Sequence, residues 1–260
     1  MDSAAQMVLP GDYVDPTQLL PPRIATDPDK KSKNPPLGLG PGLRILLPAG
    51  HVVPTVTGQL VADRRKNLLW VESEGGRYYP TTGDLVIGQV VHTTADQAIV
   101  ALAPHDAPPL RAVLPVLSFA GATRKNRPDL HSGTLVYARV ALAAKHLDTE
   151  LECVDTTTGK SDGLGPLVGG MVFPVSQLMA RRLLMATSGG KTSGLVVLEA
   201  LGEEGLSFET AVGRNGRLWV NSEDTRTVVL VGRAIAATDS QNLDEKDQKA
   251  LVKKLIRGGG

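Results

Sequence analysis

Five short apolar runs, at residues 84–91, 97–102, 110–117, 133–143 and 147–154, follow one another with turns between them and one long connection before the fourth. Short strands at this spacing predict a five-stranded OB-type barrel. The 28 Gly and 18 Pro residues fit that prediction, because they supply the turns that keep strands short. The long connection carries the densest charge of the barrel. Phe119-Ala-Gly-Ala-Thr-Arg-Lys-Asn-Arg-Pro128 sets Arg124, Lys125 and Arg127 within four positions, between Gly121 and Pro128. Those two residues restrict the backbone path, so like charges are held close together and repel. Such crowding is tolerable where a polyanion arrives. The plainer reading of a charge triplet is a solvated loop. The setting favours the polyanion here, since a GxxG-bearing module follows the barrel.

The flanks of the barrel read differently. Residues 1–80 predict a small β-domain, with strand-like runs at 51–61 and 67–71 and a hairpin turn at Glu74-Gly75-Gly76-Arg77 leading into Tyr78-Tyr79. Within it, residues 27–36 are polar and Pro-rich and read as an exposed loop. Residues 156–170 form a Gly-rich connector. Beyond it the hydrophobic period changes. Ser176 is an N-cap candidate for a helix at 177–185, whose apolar positions 178, 179, 183 and 184 share one face. Residues 195–201, 207–212 and 217–220 read as strands, and 225–237 as strand or helix. Residues 242–257 read as a helix with Asp244, Glu245 and Asp247 at its start and Lys253, Lys254 and Arg257 at its end, as its dipole prefers. The expected fold is therefore mostly β plus α+β: an N-terminal β-domain over 1–80, the barrel over 81–154, and a C-terminal α+β domain over 155–260.

Charge and motifs limit the function. The net charge is +1, and Lys+Arg against Asp+Glu stand at nine to eight over residues 1–80, six to seven over 81–153 and thirteen to twelve over 154–260. Nucleic-acid contact must come from a local patch, and the isolated chain should bind weakly. The lone Cys153 has no disulfide partner in the chain, which fits a reducing compartment. No secretory signal opens the sequence, and no apolar run reaches the length of a membrane span, so no membrane partner is expected. Gly190-Lys191-Thr192 lacks the earlier glycine and the preceding strand of a phosphate-binding loop. Gly38-Leu39-Gly40-Pro41-Gly42 is read as a turn. His51, His92, His105, His131 and His146 are scattered without metal-ligand spacing, and Glu203-Glu204 reads as solvated. No cofactor, metal or catalytic residue is expected.

Gly213-Arg214-Asn215-Gly216 matches the GxxG with which KH domains clamp a nucleic-acid backbone. Its flanks are strand-like rather than helical, which favours a structural turn.

With these pieces placed, the chain resembles the cap subunits of the eukaryotic RNA exosome of the ribosomal-RNA-processing-protein-forty type. The resemblance runs over nearly the whole length. It rests on Val8-Leu9-Pro10-Gly11-Asp12, Leu39-Gly40-Pro41-Gly42-Leu43, Arg77-Tyr78-Tyr79-Pro80 with Gly83-Asp84, Ser118-Phe119 through Pro128, and Gly213 through Val220. It implies an OB barrel of the ribosomal-protein-S-one type and a KH-like domain. It implies a non-catalytic subunit that sits with other cap subunits on RNase-PH-like ring subunits. There it would frame the entry of a channel leading single-stranded RNA to a 3′–5′ exonuclease, in nucleus, nucleolus and cytoplasm. Arg124, Lys125, Asn126 and Arg127 would contact RNA. Gly213, Asn215, Gly216 and Trp219 would form a structural turn between barrel and KH-like domain. One departure stands out. The aromatics usual on the RNA face of such barrels are replaced by Asp96-Gln97-Ala98-Ile99-Val100, and a later His by Pro115, which implies binding through phosphates. The alternative, a free-standing regulator built from the same modules, fits the low aromatic content and balanced charge less well.

Overall fold

A computed structural model of the chain describes residues 6–16, 37–40, 42–48, 50–63, 67–73, 77–103, 109–123, 125–126, 128–144, 146–155, 158–187, 196–241 and 243–258. The chain divides into two compact units, Met1–Gly76 and Arg77–Gly260.

In the first unit the strands are β1 (Gln6–Val8), β2 (Gly38–Leu39), β3 (Leu43–Leu46), β4 (His51–Pro54), β5 (Gly58–Asp63) and β6 (Leu68–Glu72). β1, β5, β6 and β2 lie in that order in one sheet, and β3 and β4 form a hairpin. Strict alternation on β6 turns Leu69 and Val71 inward, where they meet Val8, Val14, Val52 and Leu60. Gly38 and Leu39 form a strand parallel to β6, not the expected turn. The turn comes later, at Gly42, whose φ is +83°. Residues 77–80 are not a strand, so Tyr78-Tyr79 does not continue a hairpin. The expected turn residues 74–76 and the Pro-rich loop 27–36 lie outside the described residues.

The second unit begins with the barrel: β7 (Leu85–Thr93), β8 (Gln97–Ala103), β9 (Leu110–Pro115), β10 (Leu135–Leu142) and β11 (Thr149–Glu152). β7 pairs with β8, β8 with β9, β9 with β11 in parallel, β11 with β10, and β10 back to β7, which closes a five-stranded barrel. Val86, Val90, Val100, Leu102, Leu114, Val136, Val140 and Leu151 fill it. The connector after it is not plain loop. It holds β12 (Gly165–Leu167), which extends the sheet along β10.

Three antiparallel strands follow in the order β13 (Met171–Pro174), β15 (Arg217–Asn221) and β14 (Glu209–Gly213). Among the described residues, four helices complete this part: α1 (Gln177–Thr187), α2 (Val197–Glu203), α3 (Thr225–Gln241) and α4 (Glu245–Gly258). Ser176 caps α1, its Oγ accepting the Met179 N–H at 3.0 Å and donating to Asp239 at 2.6 Å. Residues 195–201, read as a strand, prove helical from 197. Val197, Ala200 and Leu201 give a helical period, and the partner that fixes the start of α2 is remote: buried Gln248 accepts the Val196 N–H at 2.9 Å. The ambiguous segment at 225–237 is helix α3. Asp224 opens it by accepting the Arg226 N–H, and Gly232 lets Phe173 lie against the helix.

Candidate nucleic-acid interface

The basic loop springs from a fixed stem. Phe119 is buried in the barrel core and bridges Cys153 in parallel, and the Cys153 N–H reaches the Ser118 carbonyl at 2.8 Å. A turn from Phe119 to Ala122 follows, with Gly121 at φ +67°. Thr123 and Asn126 then exchange backbone hydrogen bonds of 2.9 and 3.2 Å, and the Asn126 N–H also reaches Thr123 Oγ1 at 3.1 Å. Lys125 and Asn126 are exposed. On the return side Leu130 is buried in the barrel, and its carbonyl accepts Thr93 Oγ1–H at 2.9 Å. Both feet of the loop are therefore tied to the barrel. Arg124 and Arg127 lie outside the described residues.

The outer face of β8 and β9 carries no aromatic ring. Gln97 stands opposite Pro115 and Ile99 opposite Val113, while Ala98, Val100, Ala112 and Leu114 point inward. His92 on β7 is in register with Ile99 and is exposed. Arg111 and Glu150 stand exposed on β9 and β11. Apart from the His92 imidazole at its edge, this face offers small apolar side chains and mixed charge, without a Phe, Tyr or Trp ring on which a base could stack.

The Gly213–Gly216 turn joins β14 to β15, and its polar groups point at the barrel. The Asn215 carboxamide donates to the Ile87 and Leu102 carbonyls, each at 2.8 Å, and accepts the Ile87 N–H at 3.2 Å. Both amide hydrogens and the oxygen are thereby engaged. The Arg214 N–H meets the Leu85 carbonyl at 2.7 Å, and the Arg214 side chain pairs with Asp84 at 3.4 Å. Asp84 also accepts the Tyr78 hydroxyl at 2.9 Å. Burial, and then the Asp84 carboxylate, hold the Tyr78 phenol above its ordinary pKa, so it stays a proton donor. Arg217, half-buried beside the Ile87 carbonyl, has its pKa lowered by burial. A Cβ on Gly213 would collide with Asn215 Oδ1 and the Ile87 nitrogen, and Gly216 holds φ at +73°. Under the turn, Ile87, Ala211 and Trp219 form a second small core with Leu135, Tyr137, Leu167 and Val172. Trp219 Nε1–H donates to the Gly169 carbonyl at 2.9 Å.

Sequence reasoning missed the Tyr78–Asp84–Arg214 chain. Its only sign was that Tyr78 and Asp84 stand among the residues carrying the resemblance. The Gly190-Lys191-Thr192 motif and His105 lie outside the described residues. Among the described residues no three His, Cys, Asp or Glu side chains could hold a metal ion, and no helix is long and apolar enough to cross a membrane.

Comparison with known proteins places this geometry. Residues 37–77 match the exosome complex exonuclease Rrp40 N-terminal domain, 78–165 the S1 domain of exosome complex component RRP40, and 170–226 a KH domain. The Schizosaccharomyces pombe exosome complex component rrp40 is 38% identical over 84% of this chain and 87% of its own. The chain belongs to the RRP40 family. The Saccharomyces cerevisiae RRP40 is 34% identical over 85% of this chain and 90% of its own, and the Homo sapiens RRP40 29% over 94% and 88%. A solved structure of a candidate exosome-complex RNA-binding protein shares the fold, with a TM-score of 0.53 and 24% identity over 70% of this chain and 97% of its own. The RRP40 S1 match ends in β12, and the KH match ends in the first turn of α3. α4 lies beyond all three matches.

Proposed function

We propose that this chain is a non-catalytic, RNA-binding cap subunit of an RNA exosome. It frames the entry of a channel and passes single-stranded RNA to a 3′–5′ exonuclease below. The observation that carries this reading is the basic loop, whose two feet are fastened to the barrel at Phe119 and Leu130. Arg124, Lys125 and Arg127 contact phosphates there, with Asn126 as a hydrogen-bonding neighbour. The ring-free face of β8 and β9 supports contact through phosphates with little preference for sequence. Gly213, Asn215, Gly216 and Trp219 serve the joint between barrel and KH domain rather than RNA, since the Asn215 carboxamide is already fully engaged.

The neighbours are other cap subunits and RNase-PH-like ring subunits, and the complex works in nucleus, nucleolus and cytoplasm. Exposed Met7, Leu9, Tyr13, Ile45, Leu46 and Leu47 support assembly, because apolar side chains gathered on one small unit favour a protein neighbour. The test is reconstitution of the complex with Arg124→Ala/Lys125→Ala/Arg127→Ala. RNA protection from nuclease should weaken, and binding should depend less on salt. Equal protection and equal salt dependence would refute the loop's role.

A further inference from the structure

We infer that the exposed face of α4 is a second surface for single-stranded RNA, one that grips phosphates and reads no base. The inference rests on the RNA-binding reading above but not on its loop. At 100° per residue, Lys246, Lys249, Lys253, Lys254 and Arg257 fall within an arc of about 140°. All five are exposed. Gln248 and Val252 occupy the opposite, buried side. Among the described residues none of the five forms an ion pair.

A helix face turned merely to water usually alternates its signs through i to i+4 pairs. Here Lys249–Lys253 and Lys253–Arg257 are like-charge pairs at that spacing, each of which works against the helix. The helix dipole accounts for the cations of the last turns. It does not account for Lys246, which stands in the first turn where the dipole disfavours it, whereas Lys249 has exposed Glu245 four residues before it. A polyanion lying along the face relieves every one of these repulsions.

The occupant is RNA rather than an acidic protein because the stripe has no apolar centre. Ala250 is its sole uncharged member, and no large exposed apolar side chain belongs to α4. Protein interfaces need such a centre, and a phosphate backbone does not. Ala250, Lys253, Lys254 and Arg257 line a shallow, open depression. From Lys246 to Arg257 the helix rises about 16 Å, room for roughly three phosphates of an extended strand.

The test uses the full-length chain and a fluorescein-labelled oligouridylate. The Lys246→Gln/Lys249→Gln/Lys253→Gln/Arg257→Gln variant is expected to keep its far-UV spectrum, since all four sites are exposed. Its log K against log salt slope should be shallower than wild type by about 2. Between about 50 and 200 mM salt, wild type should therefore lose roughly twentyfold more affinity than the variant. An unchanged slope overturns the inference. So does crosslinking of wild type to 4-thiouridine-substituted RNA that yields no adduct within residues 245–258. So does polyglutamate that displaces the labelled RNA as well as unlabelled RNA of equal charge does. The Arg124→Ala/Lys125→Ala/Arg127→Ala chain separates the two sites. If it alone loses affinity, the channel-mouth reading stands and the α4 surface falls. If the α4 variant alone does, the reverse holds.

Discussion

At the scale of single residues, Asn215 is the most exacting position of the second unit. Replacing it with Ala leaves the Ile87 amide and the Ile87 and Leu102 carbonyls short of partners, at about 1–3 kcal/mol for each group left unsatisfied. Asn215→Ala should lower the melting temperature by roughly 6 °C or more in calorimetry while leaving RNA affinity near wild type. Asn215→Asp should be worse, because it turns an acceptor toward two carbonyls. A loss of RNA affinity without a loss of stability would restore a backbone clamp. Cys153 and Tyr137 make a pH prediction. Burial, and then the Glu152 charge, push the Cys153 thiol from 9.0 to about 12, and burial pushes the Tyr137 phenol from 10.0 to about 12. In that window the unfolded chain releases protons that the folded chain keeps, so stability is full below about pH 9 and falls toward pH 12. Urea unfolding across this range should show the decline, and Cys153→Ala should make it shallower without abolishing it, because Tyr137 and Tyr78 remain.

At the scale of elements, the caps and close approaches decide. Ser176→Ala removes the cap of α1 and a partner of Asp239, and should cost about 1–2 kcal/mol in urea unfolding. That cap was legible, since Ser176 precedes a helical period. So were β7 to β11, whose inward residues alternate with outward ones. α2 was not legible. Val196-Val197-Leu198 has the branched, apolar look of a strand, and the side chain that anchors the helix, Gln248, lies 52 residues away. β2 was hidden for a related reason. Gly38 and Leu39 become a strand only because β6 lies beside them, and glycine alone argues for a turn.

At the scale of the whole second unit, the first half of β7 is buried on both faces. Val86 and Val90 fill the barrel, and Ile87 fills the small core beneath the KH sheet. The run Leu85-Val86-Ile87 breaks the alternation expected of a half-solvated strand, and that break was the one mark in the sequence of a partner on the outside. The basic loop was legible as charge in a Gly- and Pro-marked turn, whereas the α4 stripe passed for ordinary dipole complement. Because Ile87 serves two domains, Ile87→Ala should lower hydrogen-exchange protection in β8 and β10 and in α3 together, by about 2–5 kcal/mol. Loss confined to the barrel would show that the domains open independently. The same joint also sets an order of events. The acceptor of one Asn215 hydrogen bond is made 128 residues before its donor. As the chain leaves the ribosome, the barrel can close first and wait with Ile87 uncovered. Until the later strands arrive, a nascent or truncated chain carries an adhesive spot, and a stalled one is the form that chaperones would have to shield.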